Sequence, residues 1–408
     1  MKCRFCANEL KHVFVDLGNS PPSNSYLTTA QLNEPENYFP LKIMVCDSCY
    51  LVQVDEHKKA EEIFNSDYAY FSSVSSSWLA HSKMYTQKMI SEFGINAGSL
   101  VIEIASNDGY LLQYFKEAGV NVLGIEPTAS TAKVAKEKGI ETIERFFGVE
   151  LAEELVAGKR KADLLLGNNV LAHVPDINDF VQGLEIALAS DGIVTMEFPH
   201  LLQLVANNQF DTIYHEHFSY LSFTTVRSVF EKHGMEMFHV EELSTHGGSL
   251  RIFAKKKSSA VHPVRESVQL MLAKEQHAGI NSLAYYQEFD KKVAKVKLDF
   301  FDFLIRARKE NKRIAAYGAA AKGNTLLNYC GIKNDWIEYV VDAAKSKQGK
   351  FLPGSHIPVV SEERIKESKP DYIIIFPWNI KDEITSNLSY IRDWGGKFVT
   401  VISKLEII

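Results

Sequence analysis

The sequence predicts an α/β protein: a small cysteine-rich N-terminal module, then two strand–helix blocks, each on a mostly parallel sheet. Three observations predict it. Two CxxC pairs, Cys3/Cys6 and Cys46/Cys49, stand near the N-terminus. Buried-strand runs alternate with helical periodicity from Leu100 to about residue 256. A second alternation begins at Arg313. Such alternation implies right-handed crossovers and a sheet covered on both faces. At roughly 150 residues per domain, the 408 residues make two or three domains. With 46% hydrophobic and 24% charged residues, disordered and collagen-like chains are excluded. Lys plus Arg number 45 against 51 Asp plus Glu, a net charge of −6, so no nucleic-acid partner is expected. No apolar run reaches the roughly 18 residues of a membrane span. The start Met-Lys-Cys-Arg-Phe-Cys lacks the apolar core of a signal peptide, so the expectation is a cytoplasmic protein off the membrane.

The first element is the cysteine module, residues 1–75. Each CxxC turn brings two thiolates to one side of a metal, and two turns complete a tetrahedral shell. Cys3, Cys6, Cys46 and Cys49 are therefore expected to bind structural zinc, with the loop around Asn19–Tyr26 filling the spacer. The competing readings are a redox CxxC and four thiols that merely pack. Neither pair opens a helix after a buried strand, which disfavours redox chemistry. A closed four-sulfur site has no open position, so this zinc should hold shape. Cys330, far along the chain, reads as a small buried residue.

The aromatic and serine-rich stretch 67–78 reads as a linker running into a helix. The second element spans 76–258, with strands expected at 100–104, 121–125, 162–166 and 192–198 and helices at 110–118 and 131–138. Two closely spaced strands, 235–242 and 250–256, should form a hairpin closing the sheet. Residues 259–310 have long-period helical character and connect domains. The last element, 311–408, has candidate strands at 314–317, 336–341, 372–376 and 397–402.

Glu103-Ile104-Ala105-Ser106-Asn107-Asp108-Gly109-Tyr110 reads as strand, small-residue turn and helix start. Small residues admit a ligand to the backbone, and a helix N-terminus offers free N–H groups. The second strand ends at Glu126-Pro127, where a carboxylate commonly accepts ribose hydroxyls. A nucleoside ligand is expected there. NAD wants G-x-G-x-x-G, but Ala105 stands at the first glycine and only Gly109 remains, which is poor for pyrophosphate. S-adenosyl-L-methionine suits the turn better. The arrangement resembles the E-x-G-x-x-x-G motif of class I methyltransferases, which implies a Rossmann-like domain. The run from Gly167 through Asn168, Asn169 and His173 resembles that fold's later motifs. Ala105 departs from the pattern. The cofactor residues expected are Glu103, Ala105, Ser106, Asn107, Gly109, Tyr110, Glu126, Pro127, Asn168, Asn169 and His173.

Asp211-Thr212-Ile213-Tyr214-His215-Glu216-His217-Phe218-Ser219-Tyr220 follows the strand ending near His200, so it belongs at the carboxyl lip of the sheet. A zinc protease motif needs histidines at i and i+4; here His215 and His217 flank Glu216 at i and i+2. One reading is a loop whose histidines bond to backbone. The other is a general base, a carboxylate that orients it and a phenol that stabilises an oxyanion.

Five features in order carry a family resemblance: the paired CxxC N-terminus, EIASNDG at 103–109, YHEHFSYLS at 214–222, HGGSLR at 246–251 and AAYGAAAKGNTLLN at 315–328. Together they resemble sugar C-methyltransferases acting on nucleotide-linked 4-keto-deoxyhexoses, over essentially the whole chain. The resemblance implies a zinc-binding domain, a class I methyltransferase domain and a family-specific Rossmann-like C-terminal domain. It implies methylation at C3 of a nucleoside-diphosphate sugar, with His217 as the base and Tyr214 and Glu216 contacting the sugar or tuning that base. It further implies an aromatic reaching in from the preceding segment, Tyr68 or Tyr70. Carbon becomes a nucleophile only after a proton alpha to a carbonyl is removed, so a base beside that carbon is needed in any case.

Gly318 to Thr325 superficially resembles a P-loop, but Lys322 precedes Gly323 and no Lys-Ser or Lys-Thr pair follows. What survives is a turn and helix start with Lys322 nearby, either an anion site or tight alanine packing. The resemblance implies that the substrate diphosphate lies in the cleft beside this domain, with Lys322, Asn324, His246, Arg251 and Tyr70 as substrate contacts. His246-Gly247-Gly248 is alternatively a plain hairpin turn. A monomer is expected. The alternatives are a small-molecule O- or N-methyltransferase, a zinc-containing nucleic-acid binder and a non-catalytic scaffold with a cofactor pocket.

Overall fold

The computed structural model describes residues 1–57 and 71–408. Three sheets organise them. The first is antiparallel, in the order His12–Ser20, Phe39–Val45, Val52–Val54, Ser219–Tyr220. In Phe39–Val45 the residues Leu41, Ile43 and Val45 are buried while Pro40 and Lys42 are exposed, the two-residue period of a half-buried strand. Its fourth strand closely follows the Tyr-His-Glu-His string, so the N-terminal module is stitched to that segment by backbone pairing.

The second sheet has the order Met235–Leu243, Ser249–Lys256, Leu188–Pro199, Ala162–Asn168, Leu100–Ile104, Asn121–Ile125, Thr142–Ile143. The last five are parallel. Ser249–Lys256 inserts antiparallel between Leu188–Pro199 and Met235–Leu243, so the expected hairpin closes the sheet with its later strand inward. Leu100–Ile104 has neighbours on both sides and its crossovers diverge there, a switch point whose carboxyl edge opens a crevice.

The third sheet has the order Val359–Val360, Val340–Val341, Ile314–Tyr317, Tyr372–Ile375, Lys397–Thr400, Glu406–Ile407. It is parallel except for its last strand. Of the strand expected over 336–341 only Val340–Val341 forms; the residues before it make a turn. The helical connector resolves into Glu266–Ala278 and Phe289–Lys309. Phe289, Val293, Val296, Phe300, Phe303, Leu304 and Ala307 of the second helix are buried, an apolar stripe at helical spacing. That stripe packs in one core with Phe14 and Ile43 of the first sheet and Ile374 of the third. A second core joins Cys3, Phe5 and Cys46 to Val226 and Phe230 of the middle domain. The N-terminal module thus shares its core with both neighbours. No helix among the described residues is long and apolar enough to cross a membrane.

Candidate active site and metal centre

The four sulfurs of Cys3, Cys6, Cys46 and Cys49 lie within 4.8 Å of one another. Cys3 and Cys49 approach to 3.6 Å, and Cys6 and Cys46 to 3.5 Å. A tetrahedron with Zn–S bonds of about 2.3 Å has edges of about 3.8 Å, so this donor set fits zinc. Two matching knuckles build it. Ala7 and Tyr50, each just after a CxxC pair, take left-handed φ of 61° and 58°. Their amides donate to the carbonyls of Cys3 and Cys46. Gln53 Nε2 and the Ser48 amide donate to Cys3 and Cys46 sulfurs at 3.3 and 3.4 Å, as thiolates require. Arg4, inside the first knuckle, donates to the Pro175 carbonyl at 2.7 Å and docks the module on the middle domain.

At the carboxyl edge of the second sheet, Glu126 takes the Asn107 amide on one oxygen at 2.9 Å and the Thr128 amide on the other at 2.8 Å. That carboxylate fixes the turn after Leu100–Ile104. Ala105 and Asn107 in the turn are left-handed, with φ of 54° and 50°. Ala105 therefore occupies the conformation for which glycine is the usual residue. Gly109 serves packing: a Cβ there would sit 2.4 Å from Ile140 Cδ1. Gly124 leaves room for the Ser106 hydroxyl, which a Cβ would approach to 2.5 Å. Buried polar atoms without a hydrogen bond of normal geometry converge here: both Glu103 oxygens, Ser106 Oγ, Asp108 Oδ1, Asn168 Nδ2 and Asn169 Oδ1. Burial raises the Glu103 carboxyl well above its usual range, although the Tyr110 hydroxyl is close enough to oppose that rise. So many orphaned groups at a switch point fit a polar nucleoside ligand such as S-adenosyl-L-methionine. Tyr110 is buried and stacks on Trp78 at 6.0 Å, while Pro127 is half-buried at the rim.

The histidines gather beside that edge. His217 Nδ1 lies 2.9 Å from the Thr212 carbonyl. A carbonyl only accepts, so Nδ1 carries the proton and Nε2 is the basic nitrogen. The ring lies tilted by 34° against Tyr214, with centroids 4.0 Å apart, and meets His173 edge-on at 4.6 Å. Burial holds the His217 imidazolium well below its usual pKa, with His173 adding to the effect, so the ring is neutral around pH 7. Burial lowers His173 and His246 likewise, each to about 4. His246 Nε2 is 3.0 Å from the Asn169 amide nitrogen. His215 faces the other way, toward the Phe39 and Pro40 carbonyls at 3.3 Å, and anchors the string to the first sheet.

Three parts of the chain match known families. Residues 3–64 match a zinc binding domain, 81–240 a methyltransferase domain and 244–403 a C-methyltransferase C-terminal domain. C-methyltransferase NovU of Streptomyces niveus is 35% identical over 407 residues, covering 100% of this chain and 96% of that one. The chain belongs to the C-methyltransferase family. It is accordingly a methyltransferase that uses S-adenosyl-L-methionine and carries a zinc-binding module. Solved structures are only distantly similar. Magnesium protoporphyrin IX methyltransferase of Synechocystis, with bound SAM, is 15% identical over 44% of this chain and 79% of that one, at a TM-score of 0.34. A methyltransferase from Clostridium acetobutylicum is 11% identical over 43% and 90%, at a TM-score of 0.35.

In this C-methyltransferase several of the expected contact residues have partners within the protein. Arg251 is 4% exposed and donates to Glu197 at 2.9 Å and Glu241 at 3.3 Å, so its guanidinium is held by two carboxylates of the protein. Asn324 is 1% exposed and donates to the Ser23 carbonyl at 2.6 Å, so it ties two domains together. The imidazole of His217 is oriented by the Thr212 carbonyl, whereas Glu216 accepts from Asn24 at 2.8 and 3.1 Å. The glycines of the P-loop-like turn also serve packing, since Cβ atoms at Gly318 and Gly323 would strike Pro377 and Phe376. Lys322 lies over the Trp378 ring at 4.3 Å and donates to Asn379 at 2.8 Å. Tyr68 and Tyr70 lie outside the described residues.

Asn24 and Trp378 carried no signal in the sequence. Trp378 donates its indole N–H to Asp211 at 2.7 Å and fills the space over Gly247, where a Cβ would come within 2.3 Å of the ring. It thus touches both loops of the lip.

Proposed function

We propose that the chain methylates C3 of a nucleoside-diphosphate 4-keto-deoxyhexose through an enolate, as a step in branched deoxysugar biosynthesis. The observation that carries this reading is the His217 ring: neutral, tautomerically fixed by Thr212, packed against Tyr214, beside the nucleoside crevice. S-adenosyl-L-methionine would be held by the turn at 105–109, Glu126 and the Asn168–Asn169 end, and would supply an electrophilic methyl group. His217 Nε2 takes the C3 proton, and its Nδ1–H keeps donating to the Thr212 carbonyl as positive charge develops on the ring. The Tyr214 hydroxyl and the Lys322 ammonium are the donors proposed for the developing enolate oxygen and the diphosphate. Glu216, fixed by Asn24, presents its carboxylate to the sugar. Closure of the lip by Trp378 keeps water out, which matters because an enolate is readily reprotonated. Zinc holds the N-terminal module and takes no part in the chemistry.

The test is product analysis. The protein is incubated with methyl-labelled S-adenosyl-L-methionine and dTDP-, GDP- or CDP-linked 4-keto-6-deoxyhexoses, and the product is read by mass and carbon NMR. A labelled methyl on C3 is expected. A labelled methyl on oxygen or nitrogen would replace this reading with the O- or N-methyltransferase.

A further inference from the structure

The middle domain holds a fully buried carboxylate that the mechanism above does not use. Glu197, near the end of Leu188–Pro199, is 0% exposed. One oxygen accepts from Arg251 and from His81, each at 2.9 Å. The other accepts from the Thr245 hydroxyl at 2.9 Å. Burying an ion costs several kcal/mol unless it is paired and hydrogen-bonded, and here each oxygen is engaged. Arg251 offsets the charge, and the Thr245 hydroxyl links the carboxylate to the lip.

Three routes lead from Glu197 to His246. The side chain holds Thr245, the residue before it. The main-chain carbonyl accepts the Asn169 amide at 2.7 Å, and the Asn169 side chain meets His246 Nε2 at 3.0 Å. His81 stacks on Trp78 at 4.9 Å, and Trp78 meets His246 edge-on at 5.5 Å. The turn needs such a hold. His246, Gly247 and Gly248 have φ of 53°, 87° and 117°, three left-handed residues in succession. A histidine keeps that conformation only where its surroundings over-determine it, and such strain gathers at functional sites.

We propose that Glu197 is a positioning residue that, through Thr245 and Asn169, sets the His246 imidazole at the sugar-facing side of the lip. The proposal rests on the reading above, in which that lip meets the sugar.

Thr245→Val removes the one hydroxyl that links the carboxylate to the turn and keeps the side-chain shape; Thr245→Ala is the second variant, and Thr245→Ser restores the hydroxyl. Protein labelled at the histidine ring carbons is followed by NMR, with the His246 signal assigned by its loss in His246→Asn. Thr245→Val and Thr245→Ala are expected to move the His246 signal and leave those of His173 and His217 in place, and Thr245→Ser to return it. With dTDP-4-keto-6-deoxyglucose as substrate, KM should rise about tenfold while kcat changes less than about threefold. A His246 signal that superposes on wild type in both variants overturns the proposal, as does movement of all three histidines together, which marks a general structural role. No turnover by the wild-type protein would instead count against the proposed function, and the NMR result would still decide the role of Glu197.

Discussion

Asp211 shows how one buried atom sets a pH response. Its Oδ2 accepts the Trp378 indole, while Oδ1 has no hydrogen bond of normal geometry. Burial raises its pKa from 3.8 to about 6. Between those values the folded state holds a proton that the unfolded chain has released. Its contribution to stability is therefore fully present below pH 3.8 and falls as pH rises to about 6, by about 3 kcal/mol. Asp211→Asn keeps an acceptor for Trp378 and should remove that dependence; parallel denaturation midpoints of the two proteins across this range would contradict the assignment. Ala105 makes the second residue-scale case. At φ 54° it stands where glycine is cheaper, so Ala105→Gly should stabilise by up to about 1 kcal/mol in urea titration. The sequence marked Ala105 as a departure from E-x-G-x-x-x-G, and the backbone gives its meaning: the turn is kept and the side chain is tolerated. Thr212 could not be read the same way. It acts through a carbonyl, which every residue possesses, so nothing in its side chain announced that it orients His217.

At the scale of elements, the metal knuckles were legible because sulfur spacing alone defines them. Their reach was not. Each knuckle is local, but the loop between them reaches the C-terminal domain and the histidine string: Tyr26 donates to the Ala319 carbonyl, and Asn24 holds Glu216. Contacts across roughly 200 or 300 residues of chain leave no periodic trace in one sequence. The consequence is testable. Removing zinc with a chelator should lower the melting temperature by several degrees, since a closed metal site contributes folding free energy directly. Because the loop also holds Glu216, sugar binding should weaken in parallel, measured by calorimetry with dTDP-4-keto-6-deoxyglucose. Unchanged melting after metal loss, verified by elemental analysis, would refute the structural role. The short strand Val340–Val341 makes the complementary point. Apolar residues over 336–341 satisfied a strand pattern, yet Trp336 and Ile337 are used in a turn that packs into the core, with Trp336 against Phe301. Periodicity records which residues are buried more reliably than how their backbone pairs.

The whole molecule places one imidazole where three modules meet. The first sheet takes Ser219–Tyr220 as its edge strand, the second sheet supplies His173 and Asn169, and the third sends Lys322 and Trp378. The parallel sheets were legible from strand–helix alternation, and the position of the Tyr-His-Glu-His string at the sheet's lip followed from its place after a strand. Which face of the string does what became visible only once His215 was seen turned to the first sheet and His217 to the crevice. Methylation at carbon depends on His217 as the base. Its most direct measurement is deuterium uptake at C3 of a 4-keto-6-deoxyhexose nucleotide in heavy water, with S-adenosylhomocysteine present so that no methyl can transfer. Uptake by the wild-type protein and none by His217→Asn, with S-adenosylhomocysteine binding retained in both, is the predicted result. Uptake undiminished in His217→Asn would contradict it.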